Sequence, residues 1–265
     1  MMMLSAVIIT KNEAKSIARC LTSLSFADET VVVDDFSSDE TAALAQTLGA
    51  RVYQQKWLGY GQQKNFGAAQ AKGEWLLFID ADEEVTPELQ REILAITENS
   101  EPAFNIYWLR LVTIFLHKPL RHLYGHNPRL FRREAAQWDG RRVHEQLVRK
   151  NGQRVRLGGG ETGLIKEPLL HYSHETVKAY RQKMHYYTGL EAEEMAKTNR
   201  HRSGRRIQPT VWLGVWLGMR QTLKMMFYRR GALDGYAGWV WCVLSGYYEL
   251  EAIKKYIRIV SNYKR

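Results

Sequence analysis

The sequence predicts an α/β fold: a mostly parallel sheet, an antiparallel extension of that sheet, and a helical C-terminal region. Three observations carry this. Short apolar runs alternate with helical patterns from Leu4 to Ile96, strand-like runs without long helices follow as far as Tyr172, and from His174 the pattern turns helical, aromatic and basic. A chain of 265 residues with 45% apolar composition has ample material for a core. The break in pattern divides it into residues 1–175 and 176–265.

The elements follow in order. Leu4–Thr10 is a short apolar run that reads as a strand, and Ile17, Cys20, Leu21 and Leu24 recur at helical spacing. Thr30–Val33 is β-branched and too short for a helix. Ser37 and Glu40 have the capping-box spacing, so a helix is expected from there to Gly49. A strand at Arg51–Gln54, a helix over Gln62–Lys72 and a strand at Trp75–Ile79 follow, and Thr86-Pro87 supplies an N-cap and a first-turn proline ahead of Leu89, Ile93 and Ile96. Strands alternating with helices in this way build a parallel sheet covered on both faces. Beyond Pro102 the strand-like runs are Phe104–Val112, Arg129–Arg132, Val143–Val148 and Leu164–Tyr172, the antiparallel extension.

Charge separates the two parts. The chain carries +10 overall. Residues 1–175 hold 21 basic and 22 acidic side chains, whereas residues 176–265 hold 17 and 6. A basic segment calls for an anionic partner. Only Cys20 and Cys242 are present, which fits a reducing compartment and argues against a disulfide framework. The N-terminus lacks a signal-peptide pattern, and the longest run free of charged side chains, Gly235–Tyr248, is too short to span a bilayer.

Ligands of open α/β sheets bind beyond the carboxyl ends of the strands, and these ends are unusually polar here. The first is followed by Lys11-Asn12-Glu13, the second by Asp34-Asp35-Phe36-Ser37, and the strand at 75–79 by Asp80-Ala81-Asp82-Glu83-Glu84. Carboxylates gathered on one edge repel unless a divalent cation joins them, with substrate phosphates completing its shell. The first turn contains no glycine, so neither a dinucleotide fingerprint nor a P-loop is present.

These residues resemble the family 2 glycosyltransferases of GT-A fold. The resemblance rests on Thr10-Lys11-Asn12-Glu13, on Val31-Val32-Val33-Asp34-Asp35 with Ser37, Asp39 and Thr41, on Lys64-Asn65-x-Gly67, and on Phe78-Ile79-Asp80-Ala81-Asp82-Glu83. It implies that Thr10, Asn12 and Glu13 line a nucleotide pocket, that Asp34 or Asp35 holds uracil or ribose, and that Lys64 contacts phosphate. It also implies that Asp80 and Asp82 form the Asp-x-Asp site for Mg2+ or Mn2+, Asp80 serving the nucleotide sugar as well, with His171 within reach of the metal.

An inverting transfer needs a carboxylate to take the acceptor hydroxyl's proton. Glu145, in Val143-His144-Glu145, is the candidate, since its apolar strand pattern would fix its direction; this segment resembles that of the lipopolysaccharide-core members. The alternative is a surface Glu paired with Arg141 or Arg142. His126-Asn127-Pro128-Arg129-Leu130-Phe131-Arg132 extends the same resemblance and makes Arg129 and Arg132 candidates for binding the acceptor.

Residues 176–265 hold four of the eight Trp and nine of the 14 Tyr together with the excess positive charge. That is the composition of a membrane-interface element. Val211–Phe227, and a stripe of Ile253, Tyr256, Ile257 and Val260, are expected as helices lying in a headgroup plane; the alternative is a helical subdomain. Nucleic acid is not expected, because no zinc-finger or RRM motif is present.

The expectation is therefore an inverting, metal-dependent hexosyltransferase. It would move a sugar, glucose by its similarity to the lipopolysaccharide inner-core β-glucosyltransferases, from a UDP-sugar to a lipid-linked saccharide such as core heptose. Its place would be peripheral, on an anionic membrane surface at the cytoplasmic face of the inner membrane. A polyprenyl-phosphate sugar synthase and a non-catalytic sugar-binding module are the alternatives.

Overall fold

The computed structural model describes residues 3–141, 145–158 and 160–263. The chain forms two compact units, one of Met1–Val112 and Gly125–Tyr172, the other of Thr113–Tyr124 and Ser173–Arg265. The assignment of Thr113–Tyr124 to the second unit was not expected. Its apolar residues explain it: Phe115, Leu120 and Leu123 share a core with Tyr180, Met184, Cys242 and Leu244.

The first half of the chain runs β1 (Leu4–Thr10), α1 (Ile17–Thr22), β2 (Glu29–Asp34), α2 (Thr41–Thr47), β3 (Arg51–Gln54), α3 (Tyr60–Gln70), β4 (Trp75–Asp80), β5 (Glu83–Val85) and α4 (Pro87–Thr97). Then come β6 (Ile106–Phe115), β7 (Lys118–Pro119), β8 (Gly125–Arg132), β9 (Gln137–Trp138), β10 (Leu147–Val148) and β11 (Gly163–His174). The main sheet has the order β3-β2-β1-β4-β8-β6-β11-β5, with β7 beside β6. β3, β2, β1 and β4 are parallel, while β8 joins β4 antiparallel, β6 joins β8 antiparallel and β5 joins β11 antiparallel.

β1 is buried at every position and β4 at every position before Asp80, as fits a sheet covered on both faces. Ala6 and Ile8 pack with Ile17, Leu21, Leu89 and Ile93 on one side. Val7, Leu76 and Phe78 pack with Phe131 and Trp138 on the other. Gly67 lets α3 close on this second face, since a Cβ there would stand 2.6 Å from Val7 Cγ1.

Thr86 caps α4 as expected, its side chain accepting from Leu89 N at 3.2 Å. Several elements depart from expectation. The capping box does not form: the Ser37 hydroxyl donates to Asp34, and Asp39 Oδ1 accepts from Thr41 N, so α2 begins at Thr41. α3 starts at Tyr60 rather than Gln62. Of the strand expected at Val143–Val148, residues 143 and 144 lie outside the described residues, Leu147–Val148 is strand, and Glu145 sits in the loop before it.

The second unit is helical: α5 (Val177–Thr198), α6 (Val211–Leu223), a π-helical turn at Lys224–Tyr228, a 3-10 turn at Gly231–Asp234 and α7 (Gly235–Tyr263). Ile253 and Tyr256 are each only 1% exposed and pack with Ala192 and Met195 of α5. The stripe expected in a headgroup plane is therefore core, because α5 covers it. α6 meets α7 through glycine, and a Cβ on Gly218 would stand 2.8 Å from the Gly246 carbonyl oxygen. Among the described residues no helix is long and apolar enough to cross a membrane.

Candidate active site

The loops after β1 and β2 are tied together by side chains that the sequence singles out. Asn12 N donates to Ser37 Oγ at 2.8 Å, and Asn12 Oδ1 accepts from Ser38 N at 2.8 Å. Asn12 adopts a left-handed backbone to do so, with φ 56°. Glu13 N donates to Thr41 Oγ1 at 2.8 Å, and Glu13 Oε2 accepts from Ser16 Oγ at 2.9 Å. Asp34 is fully buried and accepts from the Ser37 backbone N–H at 3.0 Å as well as from its hydroxyl. Asp35 accepts from Lys11 Nζ at 2.6 Å and from Trp57 N at 3.0 Å. Thr10 is buried, and its Oγ1 has no hydrogen-bond partner among the described residues.

The Asp-x-Asp turn is held by the far end of the sheet. β11 pairs with β5 so that His171 lies opposite Glu83, and Tyr172 N donates to Asp82 O at 2.9 Å. This register brings His171 Nε2 to 3.2 Å from Asp82 Oδ2. Burial works against a charged imidazole, but the Asp82 hydrogen bond and the carboxylates of Asp82, Glu83 and Asp80 outweigh it and raise the His171 pKa.

Beneath the turn sits a buried charge cluster. Arg129 Nη2 donates to Asp80 Oδ2 and to Glu83 Oε1, each at 2.6 Å, and Glu83 Oε2 accepts from Asp80 N at 2.8 Å. One guanidinium here serves two carboxylates, Glu83 buried and Asp80 partly exposed. Burial favours the neutral form of both, yet Arg129 and Lys64 together hold Asp80 well below the usual carboxylate range. Glu83, where burial and the Asp80 charge prevail over Arg129, is pushed up to about 7.

Lys64 links this cluster to the candidate base. Its Nζ lies 2.5 Å from Glu145 Oε1, 4.0 Å from Asp80 Oδ1 and 4.6 Å from the centre of the Trp138 ring. Lys64 is thus engaged by a carboxylate rather than left facing outward for a phosphate. Glu145 reaches the Asp-x-Asp edge although 81 residues separate it from Lys64.

Two expectations are corrected. Arg129 is 4% exposed and bound to Asp80 and Glu83, so it cannot meet an acceptor; it supports the motif from below. Arg132 sits opposite Trp75 in the β4–β8 ladder, at the amino end of β4, and pairs with Glu74 at 2.8 Å. The acidic edge is at the carboxyl end of the same strand, so Arg132 has no part in it. Sequence reading missed Glu83 as a buried partner of Arg129, and Trp138 as a floor for Lys64. A glutamate directly after Asp-x-Asp was the available signal for the former.

No group of three or more His, Cys, Asp or Glu among the described residues is arranged to hold a metal ion. The residues that could share a cation here are Asp82 and His171, while Asp80, expected beside them, is engaged by Arg129 through Oδ2. Two ligands at right angles on an octahedral cation with bonds of about 2.1 Å stand about 3.0 Å apart. The 3.2 Å separation of Asp82 and His171 fits that spacing, and carboxylate with imidazole is a suitable donor set.

A family model described as glycosyl transferase family 2 matches residues 5–157, which contain both loops, the Asp-x-Asp turn, Lys64 and Glu145. The chain belongs to glycosyl transferase family 2. Its fold is GT-A, with the mostly parallel sheet and the antiparallel extension described above. This glycosyltransferase is 31% identical over 246 residues to an uncharacterized glycosyltransferase of Rickettsia felis, covering 89% of this chain and 83% of that one. It is 30% identical over 215 residues to the lipopolysaccharide core biosynthesis glycosyltransferase LpsC of Rhizobium meliloti, covering 74% and 73%. Among solved structures, S. aureus TarS 1-349 in complex with UDP is similar with a TM-score of 0.49 and 17% identity, covering 99% of this chain and 91% of that one. His171 lies beyond the matched residues and reaches the motif through β11.

Proposed function

We propose that this glycosyltransferase moves a hexose, glucose in the favoured reading, from a UDP-sugar to a lipid-linked saccharide such as lipopolysaccharide core heptose, with inversion. Its place is the cytoplasmic face of the inner membrane. The observation that carries the mechanism is the Glu145–Lys64–Asp80 chain at 2.5 and 4.0 Å, which sets a carboxylate beside the Asp-x-Asp turn. The choice of acceptor is supported by the name of the Rhizobium relative, a lipopolysaccharide core enzyme.

In this reading Thr10, Asn12, Glu13, Asp34 and Asp35 line the nucleotide pocket, where the loops after β1 and β2 are laced together. Asp82 and His171 would hold Mg2+ or Mn2+, which offsets the charge of the departing diphosphate. Arg129 and Glu83 fix the position of Asp80. Glu145, oriented by Lys64, accepts the proton of the acceptor hydroxyl as that oxygen bonds to the anomeric carbon. The bond from that carbon to the diphosphate breaks on the opposite face, and UDP leaves with the electron pair.

A transfer assay on extracted core lipid tests it, with wild type, chelator-treated wild type and Glu145→Gln side by side. Removing a general base lowers kcat by about 10²–10⁴-fold, while UDP-sugar affinity stays within a few-fold of wild type. Chelation is expected to stop transfer until Mg2+ or Mn2+ is restored. Undiminished turnover by Glu145→Gln would exclude it as the base, and full activity in excess chelator would exclude the metal.

A further inference from the structure

The helical unit wears part of its apolar surface outside. Trp212, Trp216, Met219, Leu223 and Phe227 recur at intervals of three and four along α6 and its π-helical continuation, so they share one face, and all five are exposed. Trp212 is 81% exposed. The only buried residues of α6 are Gly214 and Gly218, which pack against α7. Leu213 and Leu217 pack against the Ile253 core, but the larger tryptophans face outward, where an ordinary surface helix presents polar side chains to water. Tyr236, Trp239 and Val243 add an exposed strip at the start of α7. An exposed apolar stripe of this kind marks an interaction surface.

Charge identifies what covers it. Arg220, Lys224, Arg229 and Arg230 are all exposed among these residues, and the Arg220 guanidinium lies 5.6 Å from the Trp216 ring. From Met195 to Leu233 the sequence contains no Asp or Glu. A second copy docked about a two-fold axis would bring these cations against their own images. A sheet of anionic lipid headgroups accepts them while the acyl boundary receives the apolar stripe, and Trp and Tyr suit the layer between.

We infer that the outer face of α6, its π-helical continuation and the first turns of α7 form an interfacial docking surface for an anionic lipid bilayer. The helix lies in the headgroup plane. Val211–Tyr228 and the beginning of α7 form this surface, whereas the Ile253 stripe belongs to the core. The inference is independent of the donor and acceptor chemistry.

Co-sedimentation of the full chain with vesicles tests this, since it reads no turnover and so can fail without touching the transferase reading. Phosphatidylcholine vesicles are compared with vesicles containing phosphatidylglycerol. Wild type is expected to partition onto the anionic vesicles with a blue shift of its tryptophan fluorescence. The triple variant Trp212→Ser, Trp216→Ser, Phe227→Ser should lose partitioning by about tenfold or more. Arg220→Gln with Lys224→Gln should lose about fivefold per charge and flatten the salt dependence. All five positions are exposed, so far-UV circular dichroism should be unchanged. Equal partitioning of wild type and the triple variant, or equal binding to both kinds of vesicle, overturns the inference. So does self-association of wild type that the triple variant abolishes, without vesicle binding, since a second copy would then cover the face.

Discussion

The two units treat polar and apolar side chains in opposite ways. In the sheet unit, charged groups are inside: Asp34, Glu83, Lys64 and Arg129 are buried, and each is held by hydrogen bonds or opposite charges. In the helical unit, large apolar groups are outside along α6, and the helix turns its glycines inward. Both arrangements cost free energy in an isolated soluble chain, because desolvated charge and hydrated hydrocarbon are each unfavourable. The proposed transferase site lies at the first arrangement and the proposed bilayer surface at the second.

The sharpest way to break the first half of this contrast uses two arginines three residues apart on β8. Removing one member of a buried ion cluster leaves an uncompensated charge and typically costs about 3–5 kcal/mol, whereas a surface pair is worth about 0–1 kcal/mol. Arg129→Ala is thus expected to lower stability by about 3–5 kcal/mol and to impair transfer by releasing Asp80. Arg132→Ala, which gives up the half-exposed Glu74 and a 5.4 Å approach to the Trp75 ring, is expected to change either by less. Urea denaturation of both variants checks this. Similar losses would mean that Arg129 is no more buried in its energetics than Arg132.

The helical half is tested by exchanging large for small on the two faces of α6. A side chain at Gly218 must displace the Gly246 backbone, and overpacking of this kind costs about 1–3 kcal/mol. Gly218→Val should therefore destabilise by that amount, while Trp212→Gln should leave the unfolding free energy within about 0.5 kcal/mol of wild type. If Trp212→Gln is the more damaging of the two, α6 buries its tryptophan face in solution.

What the sequence disclosed follows the same physics. β1, β2 and β4 were legible because strands buried on both faces of a parallel sheet need apolar runs, and the cap of α4 because Thr86-Pro87 is a local signal. β5 was not, since Glu83-Glu84-Val85 has no apolar pattern and becomes a strand only through its pairing with β11. The inward turn of Arg129 was hidden for a related reason: an Arg on a strand reads as solvated until the carboxylates that bury it are known. Among the candidate site residues, Asp80, Asp82, His171, Lys64 and Glu145 do assemble at the sheet edge. The two helical stripes were read as equivalents, yet one is core and one is surface. Periodicity defines a face, but which neighbour covers it is a tertiary fact.

The smallest expected effect concerns Glu249, which gives the helical unit its own buried ion cluster and so limits how far the contrast extends. Glu249 is buried, accepts from Arg202, and lies 3.1 Å from His201 Nε2. Burial alone would raise its pKa, but the hydrogen bond from His201 and the charge of Arg202 prevail and lower it. A carboxyl whose folded pKa lies below its unfolded value of about 4.3 stabilises fully above that value and ceases to do so as pH falls through the folded one. Because Arg202 is itself partly exposed, the contribution at neutral pH should be modest, on the order of 1 kcal/mol. Unfolding midpoints of wild type and Glu249→Gln measured from pH 7 downward isolate this group from other carboxylates that titrate in acid. The gap between the two proteins is expected to be widest near neutrality and to close below about pH 4. A gap that stays constant into acid would show that Glu249 matters for its shape and packing rather than its charge, leaving Arg202 and His201 without an electrostatic role in the helical core.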